Sequence, residues 1–348
     1  MEKIDIKSMT LEEIKLFMEK INEKSFRSSQ VFEWIHKKQI SEFDEMTNIS
    51  KILRKKLIDN AKLTDINIIE KYVSNKDNTI KYLFELNNNN IIESVLMRYN
   101  YGNAVCISTQ VGCRMNCTFC ASAIDGLDRN LDVSEMLSQI YTIQKDIGER
   151  VSSIVLMGSG EPLDNYNNVI KFINIVNDKK GLNIGQRHIT LSTCGIIEKI
   201  YELADENLQI TLAVSLHASN DDIRNKIMPI SKKNSYDKLI DACKYYSNNT
   251  KRRITFEYAM ISGLNDNIKY AEELSNKLKN MLCHVNIIPI NNVKENNYKK
   301  SNLQNIENFA NHLKSKGIET TIRRSLGSDI NAACGQLRKR YIDEKQDK

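Results

Sequence analysis

The sequence predicts an α/β protein built on a parallel sheet and preceded by a small helical unit and a short antiparallel patch. Three observations carry this expectation. Beyond residue 100, apolar strand-like runs recur at 104–109, 153–158, 188–193, 210–216, 254–260, 284–290 and 319–324, with helix-like intervals between most of them. Strand-helix units repeating every ~30 to 40 residues build parallel sheets, either open or closed into a complete or partial barrel. Before residue 60 the apolar spacing is helical, and between 66 and 99 it alternates.

In chain order, Leu11, Ile14, Phe17 and Met18 make a first amphipathic stripe, and Phe26, Val31, Phe32, Trp34 and Ile35 supply a second set of packing residues. Positions three and four apart share one helix face, so residues 1–62 are expected to form a helical accessory domain. Ile80, Tyr82, Phe84 and Leu86 then alternate with more polar positions, and Asn87 to Asn90 supply a turn before Ile91 to Tyr99. That pattern predicts an antiparallel extension or linker over 63–99, either part of the first domain or a cover over the main one. The first helix of the main domain carries Val133, Met136, Leu137, Ile140 and Ile147 on related faces, with Asp132 and Glu135 placed to cap its N-terminus.

The 348 residues allow a large buried core, and the net charge of +6 permits an acidic partner without identifying one. Acidic and basic residues are mixed up to residue 60, so that end is not a basic arm. Arg323, Arg324, Arg338, Lys339 and Arg340 concentrate charge near the C-terminus, where phosphate contact and ordinary solvated surface are both open readings. Eight cysteines do not demand a disulfide scaffold, and their uneven use suits a reducing compartment with a dedicated thiol site. No apolar run approaches the roughly 20 residues that cross a bilayer, so a cytoplasmic chain with no membrane partner is expected.

Chemistry concentrates in VGCRMNCTFCASA, where Cys113, Cys117 and Cys120 form a C-x3-C-x2-C group. Three close thiolates can hold a metal or an iron-sulfur cluster and leave one coordination position without a cysteine. The same spacing also fits buried cysteines along one helix face, but Gly112, Arg114 and Asn116 favour a folded-back loop on which the sulfurs converge. Further polar residues follow the strand candidates: Gly158-Ser159-Gly160-Glu161-Pro162, Ser192-Thr193, Ser215-Leu216-His217 and Asn291. In parallel barrels the loops at these C-terminal strand ends meet above the core and assemble one site.

Together the runs FRSSQVFEWI, VCISTQVGCRMNCTFCASAIDGLDRNL and RRSLGSDINAACGQL resemble the radical S-adenosylmethionine (SAM) RNA methyltransferases that modify adenine C2 in large-subunit ribosomal RNA. The resemblance spans nearly the whole chain. It implies a partial (β/α)6 radical SAM barrel over 100–325, with the N-terminal helical accessory domain contacting RNA and a catalytic-cysteine loop and tail over 326–348. Cys113, Cys117 and Cys120 would ligate a [4Fe-4S] cluster. Gly160 and Glu161 would hold the amino end of SAM, with Ser192, Ser215, Leu216, His217 and Asn291 lining the same cofactor site. SAM would act both as methyl donor and as radical source.

The same resemblance gives Cys334 as the methyl carrier, needed because adenine C2 does not attack the electrophilic methyl of SAM directly. Cys106 would resolve the protein–RNA adduct by a transient disulfide with Cys334, and Glu93 would remove the C2 proton. Implied partners are 23S ribosomal RNA before full subunit assembly, transfer RNA, and a flavodoxin- or ferredoxin-like reductant. Two alternatives stay open: the related adenine-C8 methylation that confers antibiotic resistance, and a non-catalytic iron-sulfur or zinc RNA-binding protein. Pro162 resembles the C2 group, whereas Ser159 departs from the methionine often found there.

Overall fold

The computed structural model describes residues 3–290, 298–324 and 326–330. Its N-terminal unit starts with strand β1 (Ile4–Asp5) and continues through helices α1 (Leu11–Lys20), α2 (Arg27–His36) and α3 (Lys51–Asn60) to strand β2 (Ala61–Lys62). β2 pairs in parallel with β1, which closes the unit on itself. Thr10 and Glu13 cap α1 reciprocally, satisfying amides that have no partner within the helix. Ile14, Phe17 and Met18 are buried, each such side chain stabilising the fold by about 1.5–3 kcal/mol. Phe26 departs from its expected packing role: it is exposed at the start of α2, and the Arg27 guanidinium lies over its ring.

The alternating segment forms strands β3 (Asn67–Val73), β4 (Ile80–Glu85) and β5 (Ile91–Tyr99), followed by β6 (Gly102–Cys106). These four pair antiparallel in succession. The extension is therefore neither part of the helical unit nor a cover: β5 pairs directly with β6 and continues the main sheet.

A small hairpin of β7 (Gln110–Gly112) and β8 (Leu127–Asn130) brackets the cysteine run. Then strand and helix alternate: α4 (Val133–Ile147), β9 (Val151–Leu156), α5 (Tyr166–Asn177), β10 (Ile189–Thr193), α6 (Ile197–Asp205), β11 (Thr211–Ser215), α7 (Asp221–Ile227), α8 (Tyr236–Thr250), β12 (Ile254–Met260), α9 (Ile268–Leu278), β13 (Cys283–Pro289), α10 (Leu303–Ser315) and β14 (Glu319–Ile322). The main sheet has ten strands in the order β14-β13-β12-β11-β10-β9-β6-β5-β4-β3, parallel from β14 to β6. Six crossovers thus join seven parallel strands, which coincide with the seven strand-like runs read from the sequence. Asp132 and Glu135 make the expected capping box on α4, and Gly148 ends that helix in the left-handed region, φ 64°.

The helical unit is bolted to the sheet's outer helices. Lys7 Nζ donates to Ser138 Oγ at 3.0 Å, and His36 Nδ1 meets Tyr141 Oη at 2.8 Å, both partners lying on α4. At the other end, the Gly327–Asp329 segment crosses from β14 to the turn between β3 and β4. Gly327 N donates to Asp77 Oδ2 at 2.8 Å, while Asp329 accepts from Ser74 Oγ at 2.7 Å and from Asn75 N at 2.9 Å. This clasp bridges the two edges of the open sheet.

Candidate active site

The cysteine run is a loop, not a helix face. Gly112 turns the chain at φ 74°, and a Cβ there would collide with the Gly126 carbonyl oxygen. Cys113 N donates to that same oxygen at 2.8 Å, Asn116 reverses the chain at φ 55°, and Cys120 N donates to Cys117 O at 3.0 Å. All three thiols line one cavity of about 820 Å³, together with Cys106, Gly160, Glu161, Ser192, Ser215 and His217. Residues scattered from 106 to 217 meet there because parallel strands deliver their C-terminal ends to one side.

Local contacts fix the loop to those strand ends. Thr118 N donates to Ile227 O at 3.0 Å, Ser122 Oγ lies 3.1 Å from Ser159 Oγ, and Arg114 is paired with Asp164. Ser159 also takes a bond from Thr109 N at 2.9 Å and gives one to Ser108 Oγ at 3.0 Å. The serine that departs from the family pattern is thus a junction between the cysteine loop and the end of β6. The glycines beside it are dictated by space: a Cβ on Gly158 would sit 2.6 Å from the Ile107 carbonyl, and one on Gly160, at φ 107°, 2.6 Å from Gln110 Cβ.

Glu161 is buried, which raises its pKa, although both carboxylate oxygens accept backbone hydrogen bonds. Oε2 accepts from Cys194 N at 2.7 Å and Oε1 from Leu163 N at 3.0 Å. This carboxylate therefore braces β9 against β10, whatever its main chain binds. His217 sits at φ 56° and accepts from Ala259 N through Nδ1 at 2.9 Å, so the neutral ring carries its proton on Nε2. Burial holds its pKa down at about 3, and its ring meets Phe119 edge to face with centroids 4.8 Å apart. Leu216 is buried and does not line the cavity, while its carbonyl accepts from Arg224 Nε at 3.2 Å.

Arg224 is the residue that sequence reasoning passed over. Fully buried on α7, it also donates through Nη2 to Cys194 O at 2.6 Å and to Ser215 O at 3.2 Å. Nη1 has no hydrogen-bond partner among the described residues. α7 thus ties the ends of β10 and β11 to the cysteine loop, through Arg224 on one side and Ile227 O on the other. An arginine inside DDIRNKI was its only sequence signal, and solvated helix faces look the same.

Cys106 and Glu93 lie on the same face of the sheet. Cys106 is opposite Val95 across β5 and β6, and Glu93 is two residues along β5, hence a diagonal neighbour. Glu93 is buried beside Lys81, with 3.2 Å between Oε2 and Nζ. It is withdrawn from solvent and does not line the cavity. Asn291 and Cys334 lie outside the described residues. The clasp at Gly327–Asp329 ends five positions before Cys334.

The donors suit a cluster more than a single ion. Three thiols around a common space can each take a different iron of a [4Fe-4S] cluster. Burial pushes Cys113 up to about 12 and raises Cys117 as well, so both would bind as thiolates only when a cation displaces the proton. The buried Arg224 charge supplies positive potential behind such an anionic group.

A profile described as the Radical SAM superfamily matches residues 107–274, and one described as the ribosomal RNA large subunit methyltransferase N-terminal domain matches residues 4–63. A protein of Clostridium novyi named "Probable dual-specificity RNA methyltransferase RlmN" is 56% identical over 338 residues, covering 97% of this chain and 98% of its own length. Its namesake from Alkaliphilus oremlandii is 57% identical over 342 residues, covering 98% and 99%. A crystal structure of a radical SAM methyltransferase from Sphaerobacter thermophilus superposes with a TM-score of 0.91 at 38% identity, covering 96% of this chain and 98% of that one.

Proposed function

The chain belongs to the RlmN family of radical SAM RNA methyltransferases, and from that premise we propose that it methylates C2 of adenine in 23S ribosomal RNA and in some transfer RNAs. The observation that carries this reading is the convergence of Cys106, the three loop cysteines and the strand-end polar residues on one cavity. When bound, the [4Fe-4S] cluster and SAM supply the one-electron bond cleavage and the methyl group.

The chain's own residues then divide the work. Cys113, Cys117 and Cys120 hold the cluster. The main chain at Gly160 and Glu161 and the polar groups of Ser192, Ser215 and His217 orient SAM, with Asn291 completing the set, while Leu216, its N–H bonded to Glu257 O and its carbonyl to Arg224, holds Ser215 and His217 in place from behind the cavity. Cys334 carries the methyl group on sulfur, and the clasp at Gly327–Asp329 holds the root of its segment across the sheet edges. After the carbon bridge to C2 has formed, Glu93 takes the C2 proton. Cys106 thiolate attacks the Cys334 sulfur and breaks its bond to the bridging carbon, which keeps the electron pair and takes up a proton to become the C2 methyl group as the disulfide forms.

Among the described residues no helix is long and apolar enough to cross a membrane. The proposed substrate is ribosomal RNA before full subunit assembly, the proposed compartment is the cytoplasm, and a flavodoxin- or ferredoxin-like protein is the proposed reductant.

The decisive experiment uses reduced, cluster-loaded enzyme and an unmodified ribosomal RNA fragment deuterated at adenine C2. Loss of the label from the methylated product is expected. Retention of deuterium with the methyl group at C8 would sink the C2 assignment, and stoichiometric zinc with no SAM cleavage would sink the radical enzyme.

A further inference from the structure

The turn between β5 and β6 carries an aromatic pair for which the chemistry above has no use. Tyr99 and Tyr101 stack with ring centroids 4.9 Å apart and an interplanar angle of 7°. Tyr101 is 75% exposed and Tyr99 37% exposed. One face of Tyr101 therefore rests on Tyr99 while the rest of the ring is open to water. Single exposed aromatics are ordinary, but this pair lines the same cavity as Cys106.

Arg323 and Arg324, both exposed just beyond the end of β14, line the same cavity. Their position is fixed from the main chain, since Arg323 N donates to Ile287 O at 2.8 Å. Tyr99 lies within electrostatic reach of Arg323 and of Cys106. Burial raises its pKa first, Tyr101 adds to this, the Arg323 charge opposes it, and Cys106 raises it further. Arg98, beside the pair in sequence, is engaged by Glu149 at 2.8 Å and is not the cation facing it.

We propose that Tyr99 and Tyr101 form a stacking ledge for an unpaired base flanking the target adenine, with Arg323 and Arg324 meeting the phosphates of the same strand. The inference rests on the RNA methyltransferase reading and adds where the strand enters. Single-stranded RNA is the occupant because it offers what this mouth complements: flat π faces for the ledge and a run of negative charge for the arginines. Stacking on an aromatic face tolerates any base, so the ledge orders the strand while the cavity selects the adenine.

The test compares Tyr101→Ala, Tyr101→Phe and the double variant Arg323→Gln/Arg324→Gln with the unaltered holoenzyme, all matched for iron content and thermal midpoint. The probe is a short RNA stem with an unpaired loop containing the adenine, followed by fluorescence anisotropy over a salt series. Tyr101→Ala is expected to weaken binding about 10-fold, roughly 1.4 kcal/mol, with Tyr101→Phe close to the unaltered protein. The arginine pair is expected to flatten the salt dependence by about 1.4 in slope, ~0.7 for each single-strand phosphate that is no longer neutralised. Equal affinities for Tyr101→Ala and Tyr101→Phe would overturn the ledge while leaving the methyltransferase intact. So would the same Tyr101 dependence with polyglutamate, which has charge but no bases. Failure of the unaltered holoenzyme to bind the RNA at all would instead strike the functional reading on which the ledge rests.

Discussion

Lys81 and Glu93 meet inside the antiparallel part of the sheet with Nζ 3.2 Å from Oε2, and both side chains are almost wholly withdrawn from solvent. They stand on neighbouring strands, Leu83 being paired with Glu93 and Lys81 with Val95. Period-two alternation places both on the face that carries Cys106. The proposed base is thus held by a buried cation one strand further from the cavity.

Truncating that cation leaves a carboxylate buried without its ion-pair partner. Lys81→Met is expected to cost about 3–5 kcal/mol of stability, and adding Glu93→Gln to it to restore much of the loss. Urea denaturation of the two single variants and the double variant checks this, since a coupling energy near zero would mean that the pair is not acting as one.

Arg224→Met removes three donors from the carbonyls of Cys194, Ser215 and Leu216 at once. Hydrogen bonds from a charged group contribute about 1.5–3 kcal/mol each, so the loss should exceed that of an ordinary surface variant. The specific consequence expected is loosening of the cysteine loop through α7. Iron and sulfide content after anaerobic reconstitution should fall in step with the loss of cluster absorbance.

Close approach at the GSGEP turn separates two kinds of glycine. Gly158→Ala would drive a methyl group into the Ile107 backbone, and the fold is expected to be lost or displaced there. At Gly148, where φ is 64° but nothing lies within 4 Å, alanine should cost only about 1–2 kcal/mol of backbone strain. Thermal midpoints of the two variants make the comparison.

Acid should weaken the docking of the helical unit. His36 is fully buried, and its pKa is pushed down to about 3 by burial first and by the Lys7 charge second. Its unfolded value is about 6.5, so below that pH the unfolded chain binds a proton that the folded chain refuses. Stability is therefore fully present above about pH 6.5 and falls as pH drops toward 3, by up to about 1.4 kcal/mol per pH unit for one such group. Urea unfolding across pH 5–8 should show this slope, reduced by about one proton in His36→Gln.

The clasp gives a prediction that does not depend on methyl transfer. Asp329→Ala removes the acceptors of Ser74 Oγ and Asn75 N. It is expected to slow oxidant-induced disulfide formation between Cys106 and Cys334 several-fold, and an unchanged rate would show that the clasp does not position the carrier.

The sequence by itself determined the periodic order of the seven parallel strands, the capped α4 and the looped cysteine group, because each is written in local spacing. Its strand-end polar residues could be picked out for the same reason, since a parallel sheet brings all such ends to one side. The pairings of β5 on its two sides were not legible: the one with β6 made the 63–99 extension part of the main sheet and placed Glu93 diagonal to Cys106, and the one with β4 placed it beside Lys81. Arg224 could not be distinguished from a solvated helix arginine until α7 was packed against the ends of β10 and β11. The stacked tyrosines share a cavity with Arg323 and Arg324 only because the tertiary fold brings the ends of β5 and β14 to one space. Local pattern decides which elements form, whereas long-range packing decides which polar side chains lose water and must find one another.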